Sequence, residues 1–151
     1  MAREMPLFAN HPISFSESQR LGKYRAFCVH VVDGDTFDII LDLSIMQYSV
    51  IAVRLLGVNT PELNASNEIE REQAKAARDR VQQLIFEQPL LISTYKDRRS
   101  FGRYVAAAWF HPNAEFQARI ADLDTLQSND FTQNWVSLSS VLIYEGHARE
   151  L

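Results

Sequence analysis

A chain of 151 residues, 46% hydrophobic and 11% aromatic, has apolar mass for one globular core and too little for two comfortable ones. Its formal charge of −4 gives no general attraction for polyanions, so any such ligand must be gripped by a local cluster of arginines. The single cysteine, Cys28, excludes an internal disulfide, and no run approaches the roughly 18 apolar residues of a membrane span.

In chain order, residues 1–22 read as an N-terminal extension to a domain spanning 23–151, because Pro6, Pro12 and Gly22 interrupt any period. They hold no apolar run of secretory-signal length, so a cytoplasmic location is expected, with secretion of a processed form left open. "KYRAFCVHVV" (23–32) is β-branched and aromatic, a strand that buries the Cys28 thiol. "DGD" (33–35) is a tight turn. "TFDIILDL" and "YSVIAVRLL" are two more strands joined by a short hairpin. "SNEIEREQAKAARDRVQQLIFEQ" is the clearest helix, capped by Ser66 or Asn67, with acids in its first turn and Pro89 as its stop. Ile69, Ala76, Ala77, Leu84 and Ile85 are candidates for its apolar face. "PLLISTY" and "RYVAAAWF" are strands around the polar turn "KDRRSFG". Residues 111–134 form a long connection with a short helical piece at "EFQARIADL", and "WVSLSSVLIYEGHA" is a second helix stopped by Gly146. Three strands, a helix, two strands and a helix define a mixed β/α (α+β) fold. The expected form is a five-stranded OB-fold β-barrel with two or three helices, a scaffold that often presents a nucleic-acid-binding face.

A few polar residues need a reason. Asp33 and Asp35 suit a hairpin turn, yet Asp35 stands at a sheet end, where its carboxylate can project into a cleft. Arg54 continues an apolar strand, so its guanidinium either pairs an internal carboxylate or grips a bidentate anion such as phosphate. Asn59, Thr60 and Glu62 share one turn fixed by Pro61, which is either an Asx-turn with a trailing acid or part of an oxygen site for a hard cation. In the second case Asp35, the Asn59 amide and the Thr60 carbonyl give three oxygens, and Glu62 can act as general base toward a water. Arg103 starts a strand after Gly102, while Arg98 and Arg99 fit a solvated loop with a secondary role in phosphate steering. The histidines at 11, 30, 111 and 147 lack ligand spacing, which argues against zinc, and Cys28 has no evident helper for a nucleophile's role.

The pieces "VDGDT" (32–36), "RLLGVNTPE" (54–62), "FGRYVAAAW" (101–109) and, more loosely, "LIYEGHA" (142–148) occur together in one order. In these the chain resembles the staphylococcal nuclease (thermonuclease) family over residues 23–151. The resemblance implies a calcium-dependent phosphodiesterase acting on DNA and RNA, leaving 3′-phosphate ends. Asp35 falls on the family's metal carboxylate, Thr60 on its carbonyl ligand, Glu62 on the proposed general base, and Arg54 and Arg103 on its two phosphate-binding arginines. Asn59 stands where the staphylococcal enzyme has an aspartate, which implies weaker calcium binding and room for magnesium or manganese. The hairpin between Asp35 and Arg54 is longer than in that enzyme. The sequence ends before the family's base-stacking tyrosines, so base contacts are expected from Phe101, Tyr104 or the 111–134 connection. The alternatives are a nucleic-acid-binding OB-fold module with weak or no catalysis and a protein-interaction scaffold. The partner expected is DNA or RNA, with no membrane, and the oligomeric state is left open between monomer and an unknown assembly.

Overall fold

Residues 22–96, 103–111 and 135–151 are described by the computed structural model. The expected extension up to residue 21, Arg98, Arg99 and Phe101, and the connection over 112–134 with its helical piece lie outside the described residues.

Strand β1 (Gly22–Asp33) buries Ala26 and Cys28 and then Val31, and this change of parity coincides with a register shift between Cys28 and His30. A bulge of this kind bends a strand and increases its twist, which a barrel needs. Strand β2 (Thr36–Asp42) alternates strictly, with Phe37, Ile39 and Leu41 inward, and β3 (Tyr48–Leu55) buries Val53 and Leu55. The three form an antiparallel meander. The two-residue strand β4 (Val58–Asn59) follows directly.

Helix α1 (Glu68–Ile85) starts at Asn67, whose side-chain oxygen accepts the Ile69 N–H at 2.9 Å. Its buried stripe is Ala74, Ala77, Val81 and Ile85, a spacing of three and four that keeps one face on the barrel. Ile69 and Ala76, read from the sequence as apolar-face residues, are exposed instead, because the stripe runs one position out of phase with them. The helix ends before Pro89 can stop it. Glu87 takes a left-handed φ of 54° and its N–H bonds to the Cys28 carbonyl at 3.0 Å, so the chain reverses onto β1. Pro89 instead opens strand β5 (Pro89–Lys96).

Strand β5 pairs antiparallel with β1, and β6 (Arg103–Phe110) pairs antiparallel with β5. The parallel register of β6 on β3, from Ala52 opposite Arg103 to Leu55 opposite Ala106, closes a five-stranded mixed barrel. This is the α+β OB-fold expected from the sequence, with two helices among the described residues.

The second helix is shorter than its sequence pattern. Val136–Ser137 form strand β7 against β6, and helix α2 (Leu138–Tyr144) begins only where the Ser137 hydroxyl accepts the Ser140 N–H. Gly146 stops it at φ +79°, as expected. The last strand, β8 (Arg149–Glu150), pairs antiparallel with β4.

The core is filled by Phe37, Ile39, Val53, Leu55 and Ile92 from the barrel, Val81 and Ile85 from α1, and Leu138, Val141 and Leu142 from α2. Each such side chain contributes about 1.5–3 kcal/mol by leaving water. Arg80 on α1 grips Glu145 after α2 at 2.8 and 3.0 Å, tying the helices together outside that core. Among the described residues no helix is long and apolar enough to cross a membrane.

Candidate functional site

The turn between β1 and β2 folds on itself: the Asp35 N–H donates to the Asp33 carboxylate at 3.0 Å. That local bond aims the Asp35 side chain back under the sheet end, where it is nearly buried, at 6% exposure. One carboxylate oxygen of Asp35 accepts from the Thr36 hydroxyl at 3.1 Å, and the other accepts the Thr60 backbone N–H at 3.2 Å. The Leu55 N–H also donates to the Asp35 carbonyl at 2.7 Å. The side-chain bond thereby fastens two turns far apart in sequence, and the main-chain bond ties the first of them to the end of β3.

Gly34 is what lets them come so close. A methyl at that position would lie 2.8 Å from the Ala77 Cβ on α1 and 3.0 Å from both Cγ2 and Oγ1 of Thr60. The three smallest choices available, glycine here and alanine at 74 and 77, allow α1 to lean on the turn. Nothing in the sequence marks Gly34 as more than a turn residue.

Arg54 is the register partner of Thr36 and alternates with the inward residues Val53 and Leu55, so it faces outward at this end of the barrel. Its Nη2 donates to the Asn59 side-chain oxygen at 3.2 Å and lies 3.9 Å from an Asp35 oxygen, with 34% of the side chain exposed. Of the two options left open for Arg54, the structure shows the internal carboxylate contact. The guanidinium also keeps an accessible edge.

Charge at the site is unbalanced. Asp33 and Asp35 are neighbours, and Arg54 is the one cation within ion-pair distance of them among the described residues. Burial, followed by the side-chain hydrogen bond with Asp35, pushes the Asp33 carboxyl up to about 6. The donor set around Asp35 is all oxygen, from a carboxylate and the Asn59 amide, and its excess negative charge fits a hard divalent cation. The Asn59 oxygen has two lone pairs, so accepting from Arg54 leaves one available. No group of three or more His, Cys, Asp or Glu suited to a metal occurs among the described residues, so most ligands of any such ion would have to be amide, carbonyl or water oxygens.

Glu62 is exposed on the turn after Thr60, beside an open cleft of about 500 Å³. Asn59, Thr60, Glu62, Glu70, His147 and Arg149 are among its lining residues. Arg103 begins β6 opposite Ala52, two residues from Arg54 along β3, and its side chain lies outside what the structure describes. Tyr104 is half-buried and packs against the barrel core. The structure thus brings Asp35, Arg54, Asn59 and Thr60 together through hydrogen-bond and ion-pair contacts and sets Glu62 on the cleft that Asn59 and Thr60 also line. Sequence reasoning missed Arg149, which only the pairing of β8 with β4 carries to this rim.

A five-stranded barrel of this kind is the OB-fold, a scaffold whose members bind oligonucleotides and oligosaccharides. Residues 52–150 match the family described as staphylococcal nuclease homologue, and the chain belongs to that family. The matched span holds Arg54 through Glu62 and Arg103, while Asp33 and Asp35 precede it and are joined to it by the Asp35–Thr60 bond. A comparison with curated proteins found no match.

Proposed function

We propose that the protein is a metal-dependent nuclease hydrolysing phosphodiester bonds of DNA, RNA or both. The observation that carries this reading is the convergence of the Asp35 carboxylate on the Thr60 backbone, with Arg54 lying across both turns. Asp35, Asn59 and the Thr60 carbonyl would hold a calcium ion, or magnesium or manganese in its place. Such an ion supplies Lewis-acid polarisation of a phosphoryl oxygen when bound.

The chain's own groups do the rest. The exposed edge of the Arg54 guanidinium binds a phosphate oxygen and stabilises the charge that grows on it as water attacks. Arg103, at the start of the neighbouring strand, is assigned the same task. Glu62 sits at the mouth of the cleft and takes a proton from the attacking water, a role suited to an exposed carboxylate with solvent access. The leaving alkoxide departs on the opposite side of the phosphorus and is protonated by solvent.

A second reading, a nucleic-acid-binding OB-fold module with weak or no catalysis, is favoured by one contact. The Arg54–Asn59 hydrogen bond engages both the guanidinium and the amide that the hydrolytic site would use.

Plasmid and single-stranded DNA incubated with calcium, magnesium, manganese or EDTA separate the two. Cutting that EDTA abolishes and Glu62→Gln reduces by about 100-fold or more supports hydrolysis. Retardation of the DNA without cutting, in every metal, defeats hydrolysis and leaves the binding module. Calcium should also raise the Tm of the parent more than that of Asp35→Ala, and equal shifts would remove Asp35 from the metal site.

A further inference from the structure

Arg149 is an exposed guanidinium on this rim to which neither the fold nor the proposed chemistry gives a use. The other arginines with described side chains near this rim are engaged. Arg54 is held by Asn59, Arg71 by the Ala65 and Ser66 carbonyls, Arg78 by Asp79 and Arg80 by Glu145. Arg149 makes no ion pair or side-chain hydrogen bond among the described residues, and it is exposed.

Its position is nevertheless built. β8 places Arg149 directly opposite Asn59, and the ladder continues with the Leu151 N–H donating to the Gly57 carbonyl at 3.0 Å. Paired Cα atoms in an antiparallel ladder are about 4.5–5.5 Å apart, so a side chain of arginine length starts within reach of anything bound at Asn59. Arg149 lines the same cleft as Glu62.

The charge in that cleft gives the arrangement its meaning. Glu62 and Glu70 line it, and a nucleic-acid strand running through would meet two carboxylates. Arg54 is not among the lining residues and is assigned to the scissile phosphate. A permanently charged fork is what such a strand requires, and the lining contains one in Arg149.

We propose that Arg149 binds a backbone phosphate of the substrate strand flanking the scissile one, making the cleft a second nucleotide subsite. The proposal rests on the nuclease reading, and its test keeps the two separable. The full chain carrying Glu62→Gln is compared with the same chain carrying Arg149→Ala or Arg149→Lys in addition. Binding of a fluorescein-labelled single-stranded oligothymidylate is followed by anisotropy over a salt series.

Arg149→Ala should weaken binding about tenfold and make the slope of log Kd against log salt shallower by about 0.7, the value for one phosphate contact on a single strand. Arg149→Lys should recover most of the slope. Unchanged affinity and slope in Arg149→Ala overturn the proposal and leave the nuclease reading standing. Failure of the Glu62→Gln chain itself to bind overturns both. In cutting assays with Glu62 restored, Arg149→Ala should raise KM about tenfold while kcat falls less than about twofold, and a loss confined to kcat would refute a flanking role. The β8 ladder is main-chain, so folding should survive. Should circular dichroism show that Arg149→Ala does not fold, Arg149→Gln carries the same arms.

Discussion

Gly34→Ala tests the packing that joins the two turns. The added methyl would fall 2.8 Å from the Ala77 Cβ and 3.0 Å from two side-chain atoms of Thr60. Carbon atoms in good contact sit about 3.5–4.0 Å apart, so the overlap with Ala77 is on the order of 0.7–1.2 Å. Ala77 cannot rotate out of the way, because its only side-chain atom is fixed to the backbone of α1. Overpacking of this kind costs about 1–3 kcal/mol, and the stiffer unfolded chain of the alanine variant gives back about 0.4–1 kcal/mol. A net loss of about 1–2 kcal/mol lowers the Tm by roughly 3–8 °C in a chain of this size. Calorimetry with EDTA present would measure it. Ala77→Gly removes the worst contact while costing about 1 kcal/mol of helix propensity. The double variant should therefore be less destabilised than the sum of the single ones, by about 0.5 kcal/mol or more. A Gly34→Ala protein melting within about 1 °C of the parent, or strictly additive effects with Ala77→Gly, would refute the close-packing account.

Three further outcomes are expected. Because the Asp33 carboxyl is pushed up to about 6 in the folded protein against 3.8 for the ordinary group, the folded state holds its proton more tightly than the unfolded one. Stability from this group therefore rises as pH falls from about 6 towards 4 and is lost as pH rises through that window. In EDTA, Asp33→Asn should melt above the parent near neutrality and lose that advantage by about pH 4, and a gap independent of pH would refute this assignment. Cys28 is fully buried, and burial pushes its thiol up to about 11, so it should resist a thiol reagent at about pH 8 until denaturant is added; prompt labelling of the native protein would contradict its burial. Asn59→Asp should enlarge the calcium-induced rise in Tm, since it adds a negative oxygen where the amide now stands, and an unchanged rise would remove residue 59 from the cation's shell.

Much of this molecule is written in local pattern. Strict alternation in 36–42 and the turn residues at 33–35 specify the first hairpin, and the bracket of Asn67 and acids specifies where α1 starts. The site was legible for a related reason: Asp35, Arg54, Asn59 and Thr60 lie at strand ends and turns, where polar residues beside apolar runs stand out. Other features depend on contacts that no local window contains. The phase of the α1 stripe follows Val81 and Ile85 in the core, and Gly34 leaves the room that Ala77 needs on the same face. The end of α1 is decided by Cys28 accepting from Glu87, and the start of α2 by Val136 and Ser137 preferring a ladder on β6. Arg149 has no sequence signal at all, since two residues form its strand and its partner lies ninety positions earlier.

The β2–β3 hairpin tip has its own consequence. Ser44, Ile45 and Met46 all have left-handed φ angles there, and Ile45 and Met46 stand 91% and 89% exposed. This tip lies at the opposite end of β2 and β3 from Asp35 and Arg54, roughly 20 Å away for strands of this length. Neither the closure of the barrel nor the fastening of the two turns passes through it. Residues 43–47 are thus a place where the gene can drift, or an engineer can splice in a reporter, without the rim around Asp35 and Arg54 registering the change.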